Sequence, residues 1–436
     1  MSVSQRLFAA AVVLLAAFVA APVGCISQPE VDPARAYMDA RMVLRRCLND
    51  QDEFARSHAI EALAETMGAR SGPTFTEALA DASPAVRFAA AMAIGDAKYA
   101  PAKDRLLKMV QDKQLEPDRR VVPAVIYALF RLGDDTYAGD LYSLLFDREK
   151  EVRANAALAM GRMQEPSAIG PLQTRLAEEQ DPMVRLQLIE ALAILGEEAS
   201  ALSLEAYTKK TPYLDERLVA IPAMAKVRSA TALLVLRELL EAKQPPRVRA
   251  AAAGALAMLG EYNAQAYEFC LAAARNPEGI TRGAYGGSVS ATLETSSLQR
   301  LAAISLGWMN NEGAVKVLHP LLTHSDRGVR TAAAMSILRL LSAYHAELPP
   351  AGVTEQPLPG QPAPARPPAS LPATQRGAAK PVAATQPFVA PERIVLRRLE
   401  TTTRPAVTQP ATQPAIEEPK APRAVKPILR TSGGKD

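Results

Sequence analysis

The chain has 436 residues, enough for two or three globular domains with a sizeable apolar core. Aromatic residues make up only 5% of it, a composition that suits packed helices better than β-sandwiches. The formal charge is +4, but 12 Lys/Arg against 7 Asp/Glu fall from position 347 onward, so the body before it sums to about −1 and lacks the basic footprint of a dedicated nucleic-acid binder.

Residues 1–24 read as a signal peptide. One cation, Arg6, precedes an apolar run from Leu7 to Ala21 that is too short for a comfortable membrane span and is broken at Pro22. Pro22-Val23-Gly24-Cys25 resembles a bacterial lipoprotein processing box, in which Gly24 and Cys25 fit and Pro22 stands where that family usually has Leu. The resemblance implies a lipid on Cys25, the first residue of the mature chain, and a membrane-anchored protein facing the periplasm. The alternative is a soluble periplasmic or secreted chain. Residues 25–49 are expected to form a linker and a capping helix.

From position 50 the chain is self-similar. Val86-Arg87, Val152-Arg153, Val184-Arg185, Val248-Arg249 and Val329-Arg330 each open a segment in which a small and then an apolar residue follow seven and eight places after the Val, as in Ala93-Ile94 and Ala191-Leu192. Weaker copies start at Ala55, Val121, Glu216 and Leu298, with spacings of 31, 35, 31, 32, 32, 32, 50 and 31 along the whole series. Apolar or small residues at the start and then four, seven, eight and often eleven places on mark one face of a helix. Gly closes several copies, as at Gly68, Gly133, Gly196 and Gly260. A second amphipathic stretch, such as Leu233-Leu236-Leu239-Leu240, fills the space between them. Helical hairpins of about 31 residues cannot bury their own apolar faces and must stack. The expected fold is therefore all-α, an α-solenoid of about nine repeats over residues 50–346, drawn out as a right-handed superhelical rod. In a linear stack Cys47 and Cys270 lie about seven repeats apart and read as buried fillers.

The stretches Asp81–Ile94 and Asp181–Gly196 resemble the HEAT-like repeats also found in phycobilisome lyase-type sequences, and the likeness covers roughly residues 50–345. It implies a scaffold or adaptor. The bilin-attaching members of that family are a minority, and no bilin-handling residue is identifiable.

Two segments depart from the period. The 50-residue spacing places extra residues at Asn276–Ser297, rich in Gly, Ser and Thr; this reads as a protruding loop, with Arg282 and Tyr285 as a candidate protein-contact pair. Residues 347–436 hold 18 of the 35 prolines and read as a disordered basic tail. Within it, Arg393, Arg397 and Arg398 around Ile394–Leu399 are a second candidate partner contact.

No HExxH, paired CxxC, P-loop, dinucleotide or GxSxG motif occurs. No catalytic residue, metal, cofactor, nucleic acid or small-molecule substrate is expected. His319 and His324 are five apart, off the same-face helical spacing. The arginine ladder Arg56, Arg87, Arg153, Arg185, Arg217, Arg249 and Arg330 is read as structural, binding an Asp or a helix-end carbonyl of the adjacent turn. The functional expectation is a lipid-tethered scaffold of the cell envelope whose concave face grips a protein partner. The alternatives are a lyase-type enzyme or accessory, for which Cys270 is the one nucleophile well inside the stack, and a structural envelope spacer.

Overall fold

In the computed structural model, residues 31–228, 231–285 and 291–347 are described. The signal segment, Cys25 and the tail with Arg393, Arg397 and Arg398 lie outside them. Every regular element among the described residues is helical, and the fold is an α-solenoid of stacked hairpins. Its first helices are α2 (Glu53–Met67), α4 (Pro84–Ala97), α6 (Val122–Arg131), α8 (Lys150–Met163), α10 (Pro182–Ile194), α12 (Leu214–Val227), α14 (Pro246–Met258), α17 (Ala291–Trp308) and α19 (Arg327–Leu340). Its second helices are α1 (Pro33–Leu48), α3 (Gly72–Ala78), α5 (Lys103–Gln111), α7 (Asp140–Leu145), α9 (Ile169–Glu178), α11 (Glu198–Lys210), α13 (Ala232–Glu238), α15 (Ala264–Arg275) and α18 (Val315–Leu321). An additional helix, α16, spans Pro277–Tyr285.

The helix starts follow from local chemistry. Asp32, Asp52, Ser83, Asp181 and Asp326 each accept a hydrogen bond from a backbone amide of the first turn, and Pro33, Pro84 and Pro182 follow immediately where their missing N–H costs nothing. At the ends, Gly196 and Gly260 take φ of 89° and 83°, a conformation that a Cβ would strain. The first helices are buried almost all round: α4 buries Ala85, Val86 and the unbroken run Phe88–Gly95. The second helices are amphipathic, α5 burying only Leu106 and Met109.

Consecutive first helices pack side by side, and glycine sets how closely. A Cβ on Gly161 would lie 2.8 Å from Ala191 Cα, one on Gly254 2.6 Å from Ser305 Oγ, and one on Gly307 2.5 Å from Ser336 Oγ. The receiving residues are the small ones seven places after each repeat start. Two of them also cross-link the layers, Ser305 Oγ donating to Ala250 O at 2.7 Å and Ser336 Oγ to Ala303 O at 2.8 Å.

The stack is not an open rod: its two ends meet. Helix α19 packs on both α1 and α2, and α18 touches α1. Cys47 Sγ lies 3.5 Å from Thr331 Oγ1, His319 Nε2 2.9 Å from Asp39, and Arg327 Nε 3.0 Å from Asp50, while Arg339 pairs with Glu65. A linear stack would leave one apolar face of α2 and one of α19 in water; closure covers each with the other.

The segment at 276–297 also differs from expectation, because most of it is helix rather than loop. Pro277 opens α16, Asn276 accepts from the Gly279 amide, and Thr281 Oγ1 bonds back to Pro277 O. Helix α17 begins seven residues before its repeat start at Leu298, where seven of the other eight first helices begin two before and α6 begins one after, and Glu294 in the added stretch pairs with the buried Arg247 at 2.8 Å. Residues 286–290 lie outside the described set.

Gly161→Val tests the close approach. The added side chain has to displace the Ala191 backbone, so thermal unfolding should show a loss of about 2 kcal/mol or more, whereas Gly139→Ala, where the new Cβ meets nothing within 4 Å, should leave the midpoint within a degree or two.

Candidate functional site

The first helices stand in a closed ring around a cavity of about 420 Å³, and every residue lining it belongs to a first helix, all but α6 contributing. The second helices form the outer layer. The lining side chains recur mainly two or three, six and ten places after each repeat start, with small residues at the seventh place, such as Ala93 and Ser305, at the edge of the same face.

The ten-place row is a charged rim: Glu65, Asp96, Arg131, Arg162, Lys226 and Arg339, with Met258 and Trp308 among them. Five of its six charged members meet a partner of opposite charge. Arg162 donates to Asp96 at 2.9 Å, reaching past α6, and its guanidinium lies 6.0 Å from the centre of the Tyr127 ring. The Tyr127 hydroxyl donates to the other Asp96 oxygen at 2.5 Å; burial first and then Asp96 push that phenol far above its usual range. Arg339 pairs with Glu65 and stacks 3.8 Å from the Trp308 ring centre. Lys226 faces Glu190 at 3.7 Å.

The six-place row below it is apolar at Met92, Leu158, Pro222, Ile304 and Met335 and polar at Tyr127 and Glu190. Glu61 stands in this row. Its Oε1 is shut from solvent without a hydrogen-bond donor among the described residues. Burial, reinforced by Glu65 and only partly offset by Arg162, pushes its carboxyl up to about 8.

The arginine ladder points away from the cavity. Arg87 grips Glu116 with two bonds of 2.6 and 2.8 Å and donates to the carbonyls of Asp81 and Ala82. Arg153 does the same to Glu179 (2.7 and 2.9 Å) and to Asp147 O and Arg148 O. Arg56 holds Asp81 and the carbonyls of Asp50 and Gln51. Arg185 donates to Leu176 O and Glu179 O, Arg217 to Thr208 O and Gln244, and Arg330 to His324 O and Ser325 O. Arg249 donates to Leu240 O and lies 3.9 Å over the Phe269 ring. Each arginine therefore pins the turn that precedes its own helix, and several reach a carboxylate of the next repeat.

Arg282 is exposed on α16, and Tyr285 ends that helix. His319 and His324 do not share a ligand: the first meets Asp39, and the Nδ1 of the second accepts from the Asp326 amide. Cys47 and Cys270 are buried and unbridged. Among the described residues no group of three or more His, Cys, Asp or Glu is placed to hold a metal ion, and no helix is long and apolar enough to cross a membrane.

Residues 139–224 match the family model described as HEAT repeats. The chain carries HEAT-like repeats. Among solved structures it is similar to human deoxyhypusine hydroxylase in complex with glycerol, at 16% identity over 70% of this chain and 96% of that chain, with a TM-score of 0.31; so loose a likeness carries no chemistry across. No curated protein sequence matches the chain.

The cavity row of the HEAT-like repeat escapes sequence reading because its identity changes from copy to copy, although the charges at the tenth place repeat visibly. The ladder generates a test. Burial raises the Glu179 carboxyl, but the Arg153 bonds, the Asp181 amide and Arg175 outweigh it and hold the group down to about 2. A folded value below the unfolded one means the stabilisation is complete above about pH 5 and is lost as pH falls through the interval down to about 2. Arg153→Ala should lower stability by about 3 kcal/mol, roughly 6–10 °C for a body of this size, and flatten that acid limb. Arg282→Ala, at an exposed position, should change neither.

Proposed function

We propose that this HEAT-like chain is a non-catalytic scaffold of the bacterial cell envelope, tethered by a lipid on Cys25, that docks a protein partner on its outer helices. The concave face expected to grip a partner encloses only about 420 Å³, far too little for an interface that buries about 800 Å² on each side. The observation that carries the outer-face reading is a confinement. The large apolar side chains most exposed among the described residues are Tyr142, Leu202, Tyr213, Leu233, Leu234 and Tyr262, and all fall between positions 142 and 262. Leu202 stands on α11 and Leu233 and Leu234 on α13, two outer helices in contact, with Tyr213 at the start of α12 between them. Scattered exposed apolar residues are ordinary; several gathered in one sector of a repeat surface mark a contact face.

The lipid tether rests on the Gly24-Cys25 box behind the apolar run from Leu7 to Ala21. The lyase-type alternative lacks a competent nucleophile in Cys270: the residue is fully buried and burial pushes its thiol up to about 12, so it stays protonated near neutrality. The spacer alternative draws only on the Pro-rich composition after residue 347.

A photo-crosslinking residue at position 234, in the full chain expressed in its native envelope, should give a discrete protein adduct that Leu202→Lys abolishes. The same probe at Lys108, exposed on α5 away from this sector, should give none. Equal labelling at both positions, or no adduct at 234, contradicts the docking face. Intact mass of the membrane-extracted protein should begin at Cys25 with acyl chains attached; an unmodified chain starting elsewhere contradicts the tether.

A further inference from the structure

We propose that the central cavity is a binding site for a small organic cation, an amine or guanidine with an apolar body, whose charge is received by Glu61 and whose body lies against Met92, Leu158, Met258, Ile304 and Met335. The site is independent of the outer docking face.

Of the four acids in the lining, three already have a cation. Glu65 is paired with Arg339, Asp96 with Arg162 and Tyr127, and Glu190 with Lys226. Glu61 has no such cation, and its Oε1 lacks any donor among the described residues. A buried acid without a donor is costly unless something neutralises it. A ligand carrying its own positive charge supplies the missing partner, and an apolar body fills the rest of the row. Arg162, Lys226 and Arg339 each already meet another acid, so Glu61 is the carboxyl of the lining left to receive a ligand's cation. At about 420 Å³ the cavity has the size of small-molecule sites in general.

With no cation present the carboxyl is neutral near pH 7, because its proton is held up to about 8 by burial and by Glu65, against the pull of Arg162. Other charged groups share the cavity with it, among them Glu190, Lys226 and Arg300. His58 shares its helix, Asp96 on α4 and Arg339 on α19 are in the pairs above, and Tyr37 on α1 donates to Met67 Sδ near Arg41. An arriving ammonium ionises Glu61, breaking its O–H bond and releasing that proton to solvent, while the nitrogen keeps its own protons and gains a carboxylate acceptor.

The test is calorimetric titration of the full chain at pH 7 with arylalkyl amines and guanidines of graded length, from phenethylamine to 4-phenylbutylamine, against 4-phenylbutanol and 4-phenylbutyrate as uncharged and anionic controls. Runs in two buffers of different ionisation heat count protons. The proposal expects one amine bound per chain, release of about one proton per binding event, and affinity at least tenfold above that of the alcohol. Glu61→Gln should abolish the proton release and erase the preference for amine while keeping the melting temperature. Met335→Trp, which fills the cavity from a partly exposed position, should weaken amine and alcohol alike. Failure of every amine and guanidine to bind at millimolar concentration overturns the site. So does equal binding of amine and alcohol, preferential binding of the butyrate, or amine binding unchanged in Glu61→Gln.

Discussion

Everything in this structure depends on the contact between the two ends of the repeat stack. A helical hairpin of the HEAT-like kind presents an apolar face to each neighbour, and in a series of nine the first and last copies each have one neighbour too few. Here α19 lies against α1 and α2, so the missing neighbour of each end is the other end. The seam is apolar at its centre and charged around it, where His319 meets Asp39, Arg327 meets Asp50, and Arg339 meets Glu65. These pairs join residues about 270 to 290 positions apart in the chain, so they add to closure only after the whole stack has formed.

Closure assigns a job to each position of the repeat. The start and the fourth, seventh and eighth places face the neighbouring layers, and Gly161 against Ala191 or Gly307 against Ser336 set how tightly those layers curve. The arginine one place after the start turns outward and back to hold its own entry turn, as Arg153 does through Asp147 O and Arg148 O. What remains is the row at six places and the rim at ten, which in an open superhelix would lie along a broad groove and in this ring meet across a small cavity. Function therefore falls to positions the fold does not need: the interior row containing Glu61, and the outer surface from Tyr142 to Tyr262.

The repeat itself was legible because its core positions obey one period. The starts read from Ala55 to Val329 fall on first helices, except Val121, which immediately precedes one, and Asp181 and Asp326 cap their helices as turn chemistry requires. The ladder arginines show part of their environment through the turn carbonyls just before them, while the carboxylates of Glu116 and Glu179 come from the next repeat. Closure was not legible, since nothing local to Cys47 announces Thr331. The helix at Pro277–Tyr285 was hidden by Gly and Thr content, which disfavours helix in isolation but is offset here by the Asn276 and Pro277 start and by packing against α17. The cavity was missed for a related reason: Glu61, Met92 and Leu158 share a row but not a residue type, so the interior face has no signature beyond its spacing.

The ring is the central claim, and a distance across the seam tests it most directly. Spin labels at Arg46 on α1 and Lys316 on α18, both exposed, sit on helices that touch when the ring is closed. Pulsed dipolar spectroscopy of the full chain should give one narrow distribution below about 35 Å, set by adjacent helices about 10 Å apart plus the label arms. An open stack of nine layers would separate the same labels by roughly 80 Å, and loss of the dipolar signal at short range would contradict the closed ring and with it the cavity.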